Sequence, residues 1–374
     1  MKNFYFFYLL LLIFIIGISC SKLEDYSNNQ KVVIKLDQLT DELIEKKKIP
    51  GLIISISAPQ KGLYYQRAKG FADLSTLKPM TYNCLYRTGS FTKTFTGAIM
   101  LQLVSEGKIK LNDKISKYFP ELRHSSLINI RQLLNMSSGI YEYSKDINYA
   151  NELTKNPQKE WQTIDIINIA LSHPLNFLPG SKWEYSNTNT LIAGLIIEKI
   201  TGESFKTNIE NRIIKKLGLQ NTFFQTDCNM PEKKYCKGYN LNYDGVHDVT
   251  ETYHQSNFGA AGSLVTNVKD ASLWLRMQMG DFLISNPILL FEKYNYIPMN
   301  DNNEGYGLAV MKIGKGFIGH SGGIPGYSSI SLYHPQSHAT VVIMFNMISN
   351  IKSSDIPRAI DFFYKIQDIA FQEL

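Results

Sequence analysis

Patterns typical of β-strands lie near both ends of this 374-residue chain and are scarce in its middle. Residues 52–58 alternate between apolar side chains and serine or alanine, which predicts a strand with one buried face, and residues 63–72 predict its hairpin partner. Two further β-prone runs at 327–333 and 339–347 predict a second hairpin. Because isolated hairpins are marginally stable, we expect both chain ends to meet in one antiparallel sheet.

Helical patterns flank these hairpins and fill the chain between them. Residues 32–48 precede the first hairpin, and residues 356–371 follow the second. Residues 92–106, several shorter pieces up to about Phe258, and residues 263–279 also have helical spacing. We therefore predict an α+β fold, in which N- and C-terminal helices flank the sheet and a mostly helical second lobe is inserted. A cleft between two lobes is a common location for a binding site.

The composition excludes several classes of function. Apolar residues make up 44% of the chain and charged residues 19%, which excludes a disordered chain. The net charge of +6 is small and scattered, so we expect no nucleic-acid partner. The chain has neither a His-Glu-x-x-His motif nor a glycine-rich phosphate loop, and Pro335 prevents His334 and His338 from sharing a helix. We expect neither a metal nor a cofactor.

The first twenty residues predict export. The unbroken apolar run Phe4–Ile18 is shorter than the roughly 20 residues that a membrane-spanning helix needs. A preceding lysine and the following small residues are typical of a secretory signal, predicted here over 1–19. The ending before Cys20 resembles a bacterial lipoprotein signal, which implies a lipid anchor on Cys20 and a location at the cell envelope. Simple secretion is the alternative, and residues 20–31 predict a flexible tether.

Three more cysteines follow. Cys228 and Cys236 lie eight positions apart around Pro231, so in an oxidising compartment they can form a disulfide. Two free thiols are the alternative. Cys84 has no evident partner, and we expect it to be a small buried residue.

One candidate nucleophile fails on chain order. The segment Gly319–Gly323 fits the pattern Gly-x-Ser-x-Gly around Ser321. An α/β-hydrolase then requires an acid and a histidine, in that order, after the serine. The only later histidines are His334 and His338, and no Asp or Glu lies between Ser321 and His338. No helix follows the serine either, so this interpretation is rejected.

A better candidate is Ser90-Phe-Thr-Lys93. The pattern Ser-x-x-Lys occurs five times, but only Ser90 opens a helix. Residues three apart share one helix face, so the Lys93 amine can lie beside the Ser90 hydroxyl. Tyr185-Ser-Asn187 precedes another apolar helix, where a phenol beside a lysine can be driven towards phenolate and take a proton. His320-Ser-Gly322 precedes the last hairpin, where glycines permit close approach of a substrate.

These three motifs, in this order, resemble the penicillin-recognising serine hydrolases, and within them the branch of class C β-lactamases and D-alanyl-D-alanine carboxypeptidases. The resemblance covers about 32–347 and implies a β-lactamase/transpeptidase-like fold. We expect a serine hydrolase domain over 32–374. Its α/β lobe would comprise about 32–95 and 260–374, and its helical lobe about 96–259.

Carried over to this sequence, the resemblance implies a role for each motif residue. Ser90 would be the acylated nucleophile, and Lys93 and Tyr185 would exchange its proton, with the identity of the base left open. Asn187 would orient the substrate. The backbone N–H groups of Ser90 and Gly323 would form the oxyanion hole. The wall opposite would be lined by His320, Ser321 and Gly322.

The histidine of the third motif limits the substrate. β-Lactamases of this branch usually carry Lys-Thr-Gly, whereas an imidazole such as that of His320 is mostly neutral at pH 7. His-x-Gly resembles the carboxypeptidase, aminopeptidase and esterase members. Our hypothesis is a cell-wall carboxypeptidase or a broad esterase, acting through an acyl-enzyme on a small peptide, ester or β-lactam. The alternative is a lipid-anchored receptor that binds penicillin or peptidoglycan with little turnover.

Overall fold

The computed structural model describes residues 28–280, 283–284, 286–351 and 356–374. The predicted signal peptide, Cys20 and most of the predicted tether lie outside these residues. The last part of that tether, 28–31, consists of polar residues and forms the first turn of the N-terminal helix.

Strands form one large sheet and two small ones. The described strands are β1 (Gly51–Ala58), β2 (Leu63–Asp73), β3 (Lys78–Pro79), β4 (Tyr86–Arg87), β5 (Phe223–Phe224), β6 (Tyr239–Asn242), β7 (Gly245–Asp248), β8 (Leu264–Thr266), β9 (Ile297–Pro298), β10 (Gly305–Tyr306), β11 (Met311–Ile313), β12 (Phe317–Ile324), β13 (Tyr327–His334), β14 (Ala339–Phe345) and β15 (Met347–Ser349). The large antiparallel sheet has the order β3-β2-β1-β14-β13-β12-β11-β10-β9. Strand β1 therefore pairs with β14, which joins the two chain ends as predicted.

Helices surround the large sheet. The described helices are α1 (28–45), α2 (Thr92–Ser105), α3 (Ile130–Leu134), α4 (Ile147–Lys155), α5 (Thr163–Ser172), α6 (Asn187–Thr201), α7 (Phe205–Ile209), α8 (Lys215–Leu217), α9 (Gly259–Gly262), α10 (Val268–Met277), α11 (Pro287–Lys293) and α12 (Ala359–Ala370). A π-helical turn, Glu210–Ile214, joins α7 to α8. Short 3₁₀ turns are Pro59–Lys61, Gly89–Phe91, Ile115–Lys117, Tyr143–Lys145 and Gln255–Asn257. The predicted α+β fold with terminal helices on an antiparallel sheet is confirmed.

Both faces of the large sheet are covered. On one face, Ile54 of β1 packs in a core that includes Leu36 of α1 and Phe363 of α12. On the other face, Ile53 belongs to a second core formed with the helices of the middle of the chain. The serine face of β1 is also covered, since Ser55 is only 6% exposed. The alternating pattern of β1 predicts one buried face, whereas the structure buries both. The lobe boundaries stay a prediction.

One predicted helix is shorter than its pattern. Residues 263–279 have helical spacing, but the structure places β8 first and begins α10 at Val268. The Asn267 side chain accepts a hydrogen bond from the Asp270 N–H at 2.9 Å, which caps the helix. The three residues of β8 instead pair with β4 and β5, so tertiary pairing overrides the local helical pattern.

The three described cysteines are free thiols, so the possible disulfide between Cys228 and Cys236 is not formed and the alternative of two free thiols holds. Cys236 is buried, and its Sγ donates to the Leu85 carbonyl at 3.4 Å. Cys228 is half-buried, and its carbonyl accepts from Arg87, so Leu85 and Arg87 hold the two cysteines in separate contacts. Cys84 is buried, as expected.

Within the described ranges, no helix combines the length and hydrophobicity needed to cross a membrane. The same residues contain no cluster of three histidine, cysteine, aspartate or glutamate side chains arranged to hold a metal ion.

Candidate active site

A tight turn presents Ser90 at the start of α2. Gly89 has φ of +55°, a left-handed conformation that glycine adopts readily. A Cβ atom at Gly89 would lie 2.9–3.0 Å from backbone atoms of Gly323 on β12. The glycine therefore lets the Ser90 turn pack directly against the strand that carries the third motif.

Lys93 lies one turn further along α2 and is fully buried. Its Nζ is 2.9 Å from Ser90 Oγ, 2.7 Å from Asn187 Oδ1 and 2.8 Å from the Ala261 carbonyl oxygen. The amine is thus held between the nucleophile candidate and two acceptors that lie on α6 and α9.

The electrostatics of Lys93 suit a general base. Burial lowers the pKa of Lys93 to about 7, against the opposing effect of the Glu142 charge. A neutral amine has two N–H bonds and one lone pair. Asn187 Oδ1 and the Ala261 carbonyl can only accept, so they take the two N–H bonds and the lone pair faces Ser90 Oγ. Lys93 can therefore remove the Ser90 proton near neutral pH.

Tyr185 reaches the same hydroxyl from the residues before α6. Its hydroxyl donates to Ser90 Oγ at 2.8 Å, and the Lys93 Nζ lies 5.0 Å from its ring centre. Burial raises the pKa of Tyr185, so the phenol keeps its proton at neutral pH. This differs from the expectation of a phenolate, because desolvation, together with the Glu142 charge, outweighs the lowering effect of the Ser90 hydrogen bond on the pKa of Tyr185. The arrangement makes Tyr185 a proton donor.

Glu142 completes this hydrogen-bond chain, and sequence reasoning missed it. Its carboxylate accepts from the backbone N–H of Asn187, and from the Asn187 side-chain amide at 3.1 Å. These contacts turn the Asn187 oxygen towards Lys93. Glu142 is buried and stands in a loop whose local pattern carries no signal for such a role.

His320 is buried beside Tyr306, a second residue that the sequence did not reveal. His320 Nδ1 lies 2.6 Å from the Ser321 carbonyl, so this nitrogen carries the hydrogen. The other nitrogen, Nε2, lies 2.9 Å from the Tyr306 hydroxyl and therefore accepts from it. Burial, helped by the Lys93 charge, lowers the pKa of His320 to about 3. The imidazole is thus neutral.

Strand β12 offers an edge beside Ser90. It pairs with β13 over Ile318–Ile324, but with β11 only as far as Gly319. In the part of the chain that the structure describes, residues 320–324 have no strand partner on the β11 side. An extended substrate can pair with such an edge. Gly322 packs closely there, since a Cβ would lie 1.9 Å from the Thr88 carbonyl oxygen.

The structure therefore brings Ser90, Lys93, Tyr185 and Asn187 into one hydrogen-bonded cluster and places His320 beside it. The Ser321 hydroxyl does not join this cluster, because its Oγ contacts Met311 Sδ at 3.7 Å. The backbone of Gly323 lies against the Ser90 turn. His334 bonds to Ser337 and His338 to Tyr333, so within the described chain neither histidine is a partner of the Ser321 hydroxyl.

Known proteins resemble this chain in sequence and in fold. The family model described as Beta-lactamase matches residues 36–356. "Protein flp" of Staphylococcus aureus (strain NCTC 8325 / PS 47) is 25% identical over 349 residues, which cover 87% of this chain and 65% of that protein. The "Teichoic acid D-alanine hydrolase" of Staphylococcus aureus is 30% identical over 233 residues, covering 61% of this chain and 55% of that protein.

A solved structure matches almost the whole chain. The D-stereospecific amidohydrolase from Streptomyces sp. superposes with a TM-score of 0.78 at 28% sequence identity. The superposition covers 93% of this chain and 99% of that one. The arrangement of the sheet and helices described above is therefore shared with a known hydrolase structure.

Proposed function

Because this chain belongs to the beta-lactamase family, we propose that it is a serine hydrolase that cleaves D-alanyl ester or amide bonds through an acyl-enzyme. The observation that carries the proposal is the contact of Ser90 Oγ with both Lys93 Nζ and the Tyr185 hydroxyl. Acyl transfer needs a base that removes the serine proton and an acid that protonates the leaving group, and here both candidates contact the same serine hydroxyl.

In the proposed acylation, neutral Lys93 takes the Ser90 proton while Oγ attacks the substrate carbonyl carbon. The backbone N–H groups of Ser90 and Gly323 stabilise the oxyanion, a contribution of about 3–4 kcal/mol per donor in enzymes where one was removed. Tyr185 gives its proton to the leaving oxygen or nitrogen and regains one from Lys93. A water molecule then attacks the acyl-enzyme along the reverse route and releases the acid.

The neutral His320 supports a substrate without a carboxylate next to the scissile bond. Both of its nitrogens are engaged, by Tyr306 and by the Ser321 carbonyl, so it offers no cation. Peptides that end in D-Ala-D-Ala and β-lactams carry such a carboxylate, whereas D-alanyl esters and amides do not. The names of two relatives, a teichoic acid D-alanine hydrolase and a D-stereospecific amidohydrolase, agree with a D-amino acid on the acyl side.

A substrate panel tests this proposal. The purified enzyme is given D-alanine p-nitroanilide, its L-isomer, a D-Ala-D-Ala peptide and a chromogenic cephalosporin. We expect the D-anilide to exceed each of the others in kcat/KM by roughly tenfold or more. A preference for the peptide would make the enzyme a carboxypeptidase. A stoichiometric burst without turnover would make it a penicillin- or peptidoglycan-binding receptor.

Active-site labelling tests the nucleophile separately. A fluorophosphonate should add its mass to the peptide that carries Ser90, and Ser90→Ala should abolish both labelling and turnover. Ser105→Ala is the matched control, because Ser105 also precedes a lysine by three positions. A label on Ser321 would contradict the assignment.

We propose further that the protein is exported and held at a bacterial cell envelope by a lipid on Cys20, where peptidoglycan and other wall polymers are within reach. The apolar run before Cys20 supports this proposal. Metabolic labelling with a radioactive fatty acid should mark the wild type and leave Cys20→Ala unmarked. Equal labelling of both proteins would refute the anchor.

A further inference from the structure

The serine face of β1 forms a polar surface beneath α10. Ser57 on this face lies opposite Thr340 of β14 and Tyr64 of β2, and Ser55 lies opposite Gln66 of β2. Nearer the active site, the same face carries Ile53 and belongs to the apolar core. The sheet thus changes from apolar to polar along its length while helix α10 still covers it.

A recess of about 370 Å³ lies between this polar face and α10. The helix contributes Lys269, Ser272 and Arg276, which share one helix face because they are three, four and seven positions apart. The sheet contributes Ser55, Ser57 and Thr340, with Tyr64, Gln66 and Tyr82 at its side. We name this space the α10 recess.

Two hydroxyls in the α10 recess lack hydrogen-bond partners. Thr340 is 1% exposed and Ser272 is 8% exposed, and the side-chain oxygen of each has no partner among the described residues. An unpaired buried hydroxyl is unfavourable, and native structures usually satisfy it with protein, water or ligand. The two hydroxyls lie on opposite walls of the same recess. One bound group with several acceptor oxygens would therefore accept a hydrogen bond from each of them.

The charge of the recess indicates an anion. Lys269 and Arg276 are exposed, and neither forms an ion pair with a carboxylate of the described chain. The described residues that line the recess include no Asp or Glu. Two cations and two hydroxyl donors therefore face one space in which the described residues supply no compensating negative charge. A tetrahedral phosphate uses this many donors more fully than a carboxylate does, and Arg binds phosphate with two parallel bonds.

We propose that the α10 recess binds the phosphate group of a phosphate ester. The recess is separate from the Ser90 site. Gly323, which packs against the Ser90 turn, pairs with Ser328, and Ser328 pairs in turn with Phe345 at one end of β14. Thr340 lies near the other end of β14. Five residues along a strand correspond to roughly 17 Å. The binding site therefore stands apart from the proposed catalytic chemistry and does not depend on it.

Calorimetric titration tests the proposal on the folded enzyme in a low-salt buffer without phosphate. We expect inorganic phosphate and glycerol 3-phosphate to bind and glycerol not to bind. Arg276→Gln should weaken phosphate-ester binding by about tenfold or more. Lys216→Gln, which removes an exposed lysine outside the recess, should bind as the wild type does. No binding up to about 50 mM ligand, an affinity far weaker than the usual range for specific ligands, or equal losses in both variants, would overturn the proposal.

A second variant distinguishes a ligand site from a structural defect. Thr340→Val replaces the unpaired hydroxyl with a methyl group of similar size, so the unliganded protein should unfold at the same or a higher temperature. Its affinity for glycerol 3-phosphate should nevertheless fall several-fold. An unchanged affinity would refute the role of this hydroxyl, and Ser90 labelling should stay unchanged in every recess variant.

Two sources of the phosphate are then separated. Sedimentation with vesicles of phosphatidylglycerol, compared with phosphatidylcholine alone, tests a lipid headgroup. Arg276-dependent sedimentation with the anionic vesicles would assign the recess to a headgroup. Binding of glycerol 3-phosphate without sedimentation would assign it to a soluble or polymeric phosphate ester.

Discussion

The pH dependence of the enzyme follows from one buried amine. The pKa of Lys93 is lowered to about 7, and only its neutral form can accept the Ser90 proton. Acylation should therefore rise about tenfold per pH unit below pH 7 and level off above about pH 8. His320 does not titrate in this range, because burial lowers its pKa to about 3. Stopped-flow acylation by a nitrophenyl ester between pH 5 and 9 measures this profile, and a flat or falling profile would exclude Lys93 as the base.

Glu142 should set the position of that profile. Its negative charge raises the pKa of Lys93, so Glu142→Gln should move the midpoint to lower pH, by about one unit. The maximal rate should also fall, because the variant holds the Asn187 amide less firmly. Glu203→Gln, an exposed glutamate away from the site, is the control and should leave the profile in place. If both variants keep the wild-type midpoint, Glu142 has only a structural role.

Tyr185 should act through its hydroxyl alone. Tyr185→Phe keeps the ring and removes the group that donates to Ser90 Oγ, so acylation should slow by a factor of about 10² or more. The effect should be larger for an amide than for a nitrophenyl ester, whose leaving group needs no proton. Tyr243→Phe changes an exposed tyrosine and should have no effect. Equal rates for Tyr185→Phe and the wild type would remove Tyr185 from the mechanism.

At the scale of elements, the sequence predicted those structures whose pattern is local. The helical spacing over 188–200 matches α6, and the strand pattern over 63–72 matches β2 within one residue. Strand β8 escaped prediction because its pairing partner Tyr86 lies far away along the chain. The same limit applies within the site. The three motifs were found from spacing, whereas Glu142 and Tyr306 act only through tertiary contacts that no local pattern records.

The junction of β12 with the Ser90 turn should tolerate no added atom at Gly322. A Cβ there would lie 1.9 Å from the Thr88 carbonyl oxygen and 2.5 Å from Ser329 Oγ. Gly322→Ala should therefore cost about 1–3 kcal/mol of stability and slow Ser90 labelling, because the strand must move away from the turn. At Gly323, the nearest atom to a Cβ is Ile348 Cδ1 at 3.6 Å, so Gly323→Ala should unfold at the wild-type temperature. Thermal unfolding of the two variants tests this explanation. If both lose stability equally, β12 tolerates a side chain at neither position, and crowding at Gly322 is not the cause.

In the molecule as a whole, the two faces of the large sheet pack against different elements. One face and the edge of β12 meet the Ser90 turn, helix α2 with Lys93, and the segment before α6 that contains Tyr185. Among the described helices, α1 and α12 cover the other face, and the described residues of that core include none of the proposed catalytic groups. Because both chain ends contribute strands to this one sheet, the terminal helices stabilise the platform on which the site is assembled.

Because the core beneath α1 and α12 is separate from the active site, a substitution there should destabilise the fold without slowing acylation of Ser90. Phe363 of α12 is completely buried, and its ring packs edge-on against Phe317 of β12 with centroids 5.1 Å apart. Phe363→Ala should lower the free energy of unfolding by about 3–5 kcal/mol through the lost burial and the cavity left behind. Well below its lowered melting temperature, the variant should acylate Ser90 at the wild-type rate. Lys365→Ala, on the exposed side of the same helix, should change neither quantity. A slower acylation in Phe363→Ala at a temperature where it is fully folded would show that the terminal helix also positions the catalytic groups.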